Sequence, residues 1–320
     1  MMPACFDHIR SSDDLVTTHE ATRAGFVDLA LEKSKHASPY VAEARDLLAV
    51  ASKVNSLAEL MDLKDIRGKL LTAAGLSDKA LKHFSQKDKK QALQMLVQNV
   101  LEPAGEKFAE ELIFRFLLVR GDTLGGSMRN IIGKLGQKKF DLAFVNALKE
   151  MGVDSCHCLY PGNKQQWEPI NICDADVDLH PFRGLSWRIC GKSRVLIYNL
   201  TVPLVKKNVD MCLFNLSHAD FSREQLRNPA LYMAAGELKG GIDPAGADEH
   251  WKTARTSLER IRAAFIEKNH PVHTFFVGAA IEREMAREIW SQLQSRTLSH
   301  AANLTDKKQV ASVSRWLCGL

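Results

Sequence analysis

The sequence predicts an α/β (α+β) fold in which a mainly helical first part, residues 1–150, precedes a mixed α/β part, residues 151–320. Three observations indicate this division. Apolar residues recur at spacings of three and four in the first part, a region rich in proline and glycine follows, and short apolar runs separated by turn residues then begin. The chain has 320 residues, 45% hydrophobic and 25% charged, which suits one large domain or two moderate ones.

Helix signals lie at several points of the first part. Ser56 and Glu59 form a capping box, in which each side chain satisfies a free amide at the start of a helix. Gly75 ends that stretch, and Ser77 is placed to cap the next short helix. We expect residues 1–150 to supply grip on a ligand and part of a recognition surface.

A glycine-rich segment, residues 121–126, predicts a turn before another helix at about residues 127–151. A phosphate-binding P-loop needs a lysine followed by serine or threonine after its last glycine, whereas Ser127-Met128-Arg129 stands here. The segment is therefore interpreted as a turn rather than a nucleotide site. Arg129 could reach a DNA phosphate, and a solvated arginine is the alternative.

The second part begins with residues 152–183, whose prolines and polar residues predict a long connection or insertion. A hairpin signal follows, with strands at 185–190 and 194–201 joined by the turn 191–193. The remaining predicted elements are two strands, a helix, a strand and a helix, at residues 209–215, 231–238, 244–267, 272–280 and about 282–293.

Three charged residues at strand positions suggest a metal site. Asp210 lies early in one predicted strand, and Glu237 and Lys239 lie at the end of the next, where residues two apart project to the same side. Hairpin-like pairing of these strands would set Asp210 beside Glu237. Carboxylates hold Mg²⁺, the Leu238 carbonyl offers a further ligand, and a lysine can orient or deprotonate an attacking water. Such a set suits phosphodiester hydrolysis.

This is the D…E-x-K pattern of the PD-(D/E)xK nucleases, with Val209 where proline usually precedes the aspartate. E-x-K is common by chance, and a surface ion pair is the alternative. The context favours a nuclease core, because a glycine pair and then a helix follow the strand. In that helix start, Asp243 has N-cap chemistry and His250 flanks an apolar stripe facing the sheet.

The chain closely resembles the AvaI/BsoBI family of type II restriction endonucleases over nearly its whole length. The stretches that carry the resemblance are residues 121–130, 198–210, 236–253 and 278–282. The resemblance implies a homodimer that surrounds duplex DNA and cleaves CYCGRG sites, leaving 5′ extensions. It also implies that Asp210 and Glu237 bind Mg²⁺, that Lys239 serves the attacking water, and that His250 is an additional acid or base rather than a structural histidine.

Further residues are candidates for DNA binding. Lys79 and Lys82 share a face of the short helix after Ser77, and the resemblance suggests base contacts from this region. Asp243 could accept a hydrogen bond from a cytosine amino group as well as capping its helix. Lys206 and Lys207 are candidates for phosphate contacts near the scissile bond. For the lysines the alternative is an ordinary solvated charge.

Composition sets the remaining expectations. A net charge of +5 permits binding to a polyanion without requiring it, no signal peptide is visible in residues 1–14, and no apolar run approaches the roughly 18 residues of a membrane span. An odd count of seven cysteines suggests reduced thiols in a bacterial cytoplasm. Cys156, His157, Cys158 and Cys173 invite a zinc hypothesis, but C-x-C is a poor zinc knuckle and free cysteines are expected.

Two other functions remain open at this point. One is a PD-(D/E)xK repair or recombination nuclease without strict sequence specificity, and the other is a DNA-binding protein whose catalytic site has decayed. Retention of all three charged residues, Asp210, Glu237 and Lys239, argues against decay. A restriction enzyme would also be expected to act alongside a DNA methyltransferase that protects the host's own sites.

Overall fold

The computed structural model describes residues 7–54, 56–162, 166–174 and 182–320. The chain divides into two compact units. One is Val27–Ile131, and the other consists of the residues up to Phe26 together with Ile132–Leu320. These divisions differ from the predicted boundary after residue 150. The reason is packing: residues from 132 onwards belong to the α/β core, where the ring of Phe144 meets that of Trp187 edge-on at 5.2 Å.

The first unit, Val27–Ile131, is helical. Its buried residues include Leu47, Leu70, Leu96, Leu112 and Phe116. The Ser56 hydroxyl accepts a hydrogen bond from the Glu59 amide at 3.2 Å, as the capping signal predicted. The helices of this part of the chain, two of which continue into the other unit, are α1 (His19–Ala51), α2 (Leu57–Asp62), α3 (Arg67–Ala73), α4 (Gln86–Leu96), α5 (Glu102–Ala104) and α6 (Phe108–Glu150), with a π-helical turn at Val97–Leu101.

The predicted turn at residues 121–126 is wrong, because these residues lie inside the unbroken helix α6. A glycine within a helix costs about 1 kcal/mol relative to alanine. Burial of the nearby Leu124 and Met128 side chains offsets that cost. Local propensity therefore gave the wrong answer where tertiary packing decided the conformation.

The second unit is built on one eight-stranded mixed sheet with the order β2-β1-β3-β4-β5-β6-β7-β8. Neighbouring strands from β2 to β6 are antiparallel, while β6, β7 and β8 are parallel. The strands are β1 (Ser155–Leu159), β2 (Trp167–Asn171), β3 (Gly184–Ile189), β4 (Lys192–Val202), β5 (Lys207–Phe214), β6 (Tyr232–Lys239), β7 (His273–Gly278) and β8 (His300–Asn303).

Three helices accompany the sheet: α7 (Ala247–Ile266), α8 (Arg283–Gln294) and α9 (Lys307–Gly319). The predicted apolar stripe of α7 is confirmed, since Trp251, Ala254, Leu258, Ile261 and Phe265 are all buried. Trp251 packs edge-on against Phe276 of β7 at 5.1 Å. Short 3₁₀ turns lie at Ser12–Leu15, Lys64–Ile66, Ala80–Lys82, Gly105–Lys107, Gln225–Arg227, Pro229–Leu231 and Pro244–Gly246.

The predicted hairpin is present, but its turn is Cys190-Gly191 rather than residues 191–193. Both residues have positive φ, 48° and 78°, and Ile189 pairs with Lys192 across them. Two left-handed residues match the right-handed twist of the flanking strands, which is why such two-residue turns are common in hairpins.

The prediction of a connection at residues 152–183 is wrong over β1 and β2, which extend the sheet. Pro169 lies in β2, the last strand at that side of the sheet, where a missing backbone donor is tolerated. β8 and α9 were not predicted. β8 has only four residues, too few to show a period, whereas Val310, Val313 and Leu317 of α9 recur at helical spacing and were a signal that the prediction missed.

The six cysteines within the described residues are free, as expected. Cys156 and Cys158 are buried on β1, whereas Cys173 is exposed, and His157 stacks on His218 with 3.7 Å between ring centroids. Within the described ranges, no group of three or more histidine, cysteine, aspartate or glutamate side chains is arranged to hold a metal ion. Among the described helices, none has the length and hydropathy needed to cross a membrane.

Candidate active site

The sheet brings the predicted catalytic residues together. Strands β5 and β6 are antiparallel, with Met211 opposite Gly236, so the next pair in this register is Asp210 and Glu237. A hydrogen bond of 3.1 Å from the Leu238 amide to Asp210 Oδ2 holds the aspartate against β6. The hairpin-like pairing expected from the sequence therefore places two carboxylates on adjacent strands.

Lys239 joins the two carboxylates. Its Nζ lies 2.8 Å from Asp210 Oδ2 and 2.6 Å from Glu237 Oε2. Glu237 and Lys239 are two residues apart on β6 and project to the same side, as the strand period predicts. With two carboxylates and one ammonium, the cluster carries a formal charge of −1 when all three groups are ionised, which favours a bound cation.

Glu237 is the most deeply placed member of the cluster. Its side chain is 4% exposed, against 24% for Asp210 and 22% for Lys239. Its second oxygen, Oε1, accepts a hydrogen bond of 2.7 Å from the hydroxyl of Ser257 on α7. Both carboxylate oxygens therefore have fixed partners, Lys239 for Oε2 and Ser257 of helix α7 for Oε1.

Burial sets the electrostatics of the cluster. Loss of solvent, reinforced by the negative charge of Asp210, raises the pKa of Glu237 to about 7, although Lys239 and Ser257 act in the opposite direction. Burial works against the Lys239 ammonium, but Asp210 and Glu237 outweigh it and raise the pKa of Lys239. The raised pKa keeps the Lys239 side chain protonated, whereas ionisation of the Glu237 carboxyl is disfavoured.

The donor set fits a magnesium ion. Mg²⁺ prefers hard oxygen ligands and keeps several waters, so it binds through only one or two carboxylates in many enzymes. Asp210 and Glu237 supply two carboxylates on neighbouring strands, and the Leu238 carbonyl lies between Glu237 and Lys239 in the chain. The partly exposed Asp210 leaves this edge of the cluster open to solvent.

The first glycine of the pair after β6 lies in close contact with helix α6. A Cβ at Gly240 would lie 2.9 Å from the Ile132 carbonyl oxygen and 3.0 Å from Gly136 Cα. A Cβ at Gly136 would in turn lie 2.6 Å from Gly240 Cα. These two glycines let helix α6 contact the backbone directly after Lys239.

The second glycine leaves room for His250. A Cβ at Gly241 would lie 3.1 Å from His250 Cε1, so the imidazole sits over this point of the chain. His250 is exposed in the first turn of α7. Asp243 is also exposed, and its side chain accepts a hydrogen bond of 3.0 Å from the Ala245 amide, which makes it the cap of the Pro244–Gly246 turn.

The other predicted DNA-binding residues are all exposed. Lys206 lies in the turn between β4 and β5 and Lys207 is the first residue of β5, four and three residues before Asp210 respectively. In the helical unit, Lys82 ends a 3₁₀ turn that Lys79 caps, and Arg129 lies on α6. Residues three apart eclipse one another in a 3₁₀ turn, so the two lysines share a side as predicted.

Sequence reasoning missed Ser257. The residue lies three positions after the buried Ala254, next to Leu258, on the side of α7 that faces the sheet. A small polar residue at helical spacing within an apolar stripe was the available signal, since a hydroxyl there must find a partner on the sheet. The partner is the Glu237 carboxylate.

Comparison with known proteins identifies the family of the chain. The family model described as "Restriction endonuclease BsobI" matches residues 5–320. The chain is 50% identical over 313 residues to the type II restriction enzyme AvaI of a Nostoc species, covering 98% of both chains. It is 49% identical over 316 residues to the type II restriction enzyme BsoBI of Geobacillus stearothermophilus, again with 98% of each chain covered. The chain therefore belongs to the BsobI restriction endonuclease family.

Proposed function

We propose that this protein is a type II restriction endonuclease that hydrolyses phosphodiester bonds of duplex DNA with Mg²⁺ as cofactor. The observation that carries the proposal is the cluster of Asp210, Glu237 and Lys239, with the lysine Nζ within 2.8 Å of both carboxylates. Membership of a restriction endonuclease family over almost the whole chain supports the same activity.

The roles of the residues follow from the chemistry. Asp210, Glu237 and the Leu238 carbonyl would hold Mg²⁺, which supplies neutralisation of the charge that develops on the phosphate. Lys239 gives up part of its contact with the carboxylates and orients the attacking water, with its positive charge favouring loss of the water proton. Ser257 keeps the Glu237 carboxylate in place through its 2.7 Å hydrogen bond.

His250 is proposed as an additional acid or base. His250 is exposed, so a substrate atom could reach its imidazole, whose Cε1 lies beside the backbone at Gly241. Histidine is suited to proton transfer near neutral pH. His250 lies in the first turn of the helix that also carries Ser257, which links it to the same element as the metal site.

The finer features of the proposal rest on the resemblance to the AvaI/BsoBI family. We infer a homodimer that cleaves CYCGRG sites and leaves 5′ extensions, since a palindromic site suits a two-fold pair of subunits. Lys79, Lys82 and Asp243 are the proposed base contacts, and the proposed phosphate contacts are Arg129, Lys206 and Lys207. Such an enzyme would work in the bacterial cytoplasm, together with a DNA methyltransferase that protects the host's sites.

Digestion of a plasmid of known sequence tests the proposal. With Mg²⁺ we expect discrete fragments whose ends map to CYCGRG, and with EDTA we expect intact plasmid. Discrete fragments with other ends would refute the proposed site but not the class of enzyme. A smear would indicate a nuclease without sequence specificity, and intact plasmid at every Mg²⁺ concentration would indicate a binding protein.

A further inference from the structure

Asn199 on β4 lies in the same cross-strand register as the catalytic carboxylates. Tyr198 pairs with Met211 and Leu200 pairs with Val209, so Asn199 stands opposite Asp210, which itself stands opposite Glu237 on β6. Directly opposite residues of antiparallel strands have Cα atoms about 4.5–5.5 Å apart. The three residues therefore form one row across three adjacent strands.

The backbone of Asn199 is unusual for a strand. Its φ is +51°, in the left-handed region, although its neighbours Tyr198 and Leu200 pair normally with β5. That conformation costs a residue other than glycine about 1 kcal/mol or more, and asparagine tolerates it better than most. Strain of this kind in the middle of a ladder is often found at functional sites.

The Asn199 side chain is free to bind a ligand. It is exposed between the buried Tyr198 and Leu200, and it forms no hydrogen bond with the described part of the chain. Along the row, exposure increases from the buried Glu237 through the partly exposed Asp210 to Asn199. A long substrate can therefore reach the carboxylates from the β4 side of the row.

The residues around Asn199 favour binding of an extended anion along this part of the sheet. Thr201 and Asn208, the pair that follows Leu200 and Val209 towards the turn, are exposed neutral polar residues, and the exposed Lys206 and Lys207 come next. Neutral amides and hydroxyls are common donors to phosphate oxygens. Because the Asn199 carboxamide is neutral, it can donate to a phosphate without competing with a metal ion for the Asp210 carboxylate, as a lysine at this position would.

We propose that the Asn199 carboxamide donates a hydrogen bond to a phosphate oxygen of the DNA strand that is cleaved at Asp210. The inference rests on the proposed nuclease function and adds a substrate contact to it. Asparagine combines tolerance of the left-handed backbone with an exposed donor group.

The Asn199→Gly variant separates the side chain from the backbone. Glycine adopts a φ of +51° without strain, so the strand should form with an unchanged or higher melting temperature. Loss of a hydrogen bond to a charged phosphate should slow single-turnover cleavage by about tenfold to a hundredfold. Asn199→Asp, which has nearly the same size, should slow cleavage further, because a carboxylate cannot donate and repels phosphate.

Asn269→Gly is the matched control, since Asn269 is an exposed asparagine with φ +58° that lies after α7. It should cleave at the wild-type rate. Wild-type cleavage by Asn199→Gly, or by Asn199→Asp, would overturn the inference and leave Asn199 with a backbone role alone. If the wild-type protein does not cleave DNA with Mg²⁺, the proposed function itself fails, which is a separate result.

Discussion

Glu237→Gln should make the metal-free protein more stable while abolishing its cleavage of DNA. The substitution keeps the size of the side chain. The amide oxygen can still accept from Lys239, and the amide NH₂ can donate to the Ser257 hydroxyl, which then acts as an acceptor. What changes is the charge, because the variant no longer has to keep a carboxylate ionised in a site that is 4% exposed.

The magnitude follows from the pKa of Glu237, which is raised from its ordinary value of 4.5 to about 7. A carboxyl whose pKa is higher in the folded than in the unfolded state stabilises the protein below about pH 4.5, and this stability is lost as the pH rises through about 7. Each unit of pKa corresponds to about 1.4 kcal/mol. The free energy of unfolding of Glu237→Gln, relative to wild type, should therefore rise between pH 5 and pH 8 by a few kcal/mol at most.

The assay is urea unfolding in EDTA at pH 5 and pH 8, followed by tryptophan fluorescence. All five tryptophans lie in Ile132–Leu320, so the signal reports on the unit that contains Glu237. Buried Asp141, whose pKa is raised to about 8 mainly by burial, is common to both proteins, and its effect cancels in the comparison. Equal stabilities at pH 8, or a difference that does not depend on pH, would refute the reasoning.

Three further predictions concern the parts that support the site. Ser257→Ala should raise the pKa of Glu237 further, because the hydrogen bond from the serine hydroxyl stabilises the carboxylate. The acid limb of the cleavage pH profile should therefore move to higher pH. An unchanged profile would mean that the serine does not act on the carboxylate. Gly136→Ala should lower both the melting temperature and the cleavage rate, because its Cβ would lie 2.6 Å from Gly240 Cα. Gly133→Ala is the control, since a Cβ at Gly133 on the same helix would meet nothing within 4 Å. Replacing Lys206 and Lys207 together by alanine should weaken binding to any duplex and reduce the salt-dependence slope by about 2, as measured by titration at several salt concentrations.

The sequence predicted the centre of the sheet and the proximity of Asp210 to Glu237 well for a physical reason. β5 and β6 are largely apolar runs of strand length, and their antiparallel pairing brings Asp210 to Glu237 without any contribution from distant parts of the chain. The helix α7 was equally clear, since its apolar stripe and the cap at Asp243 are local signals.

The wrong predictions came from features that only tertiary structure decides. The glycines at residues 121–126 indicated a turn, but packing of Leu124 and Met128 keeps α6 continuous. The proline in β2 suggested a loop. It is tolerated in the strand because β2 is the last strand at that side of the sheet, where a backbone donor can be missing. Ser257 was missed because it belongs to no recognisable motif, and its contact depends on the strand that lies opposite, which carries Glu237.

The most direct test of the central claim is single-turnover cleavage by Lys239→Met. This variant retains Asp210 and Glu237, so a loss of activity would be due to the ammonium that lies within 2.8 Å of both carboxylates. Lys252→Met is the control, because Lys252 is an exposed lysine on α7 that pairs with Asp248 at 2.5 Å. We predict that Lys239→Met cleaves at least about 100-fold more slowly than wild type and still binds DNA, while Lys252→Met cleaves normally. Cleavage by Lys239→Met at the wild-type rate would contradict the assignment of this cluster as the nuclease site.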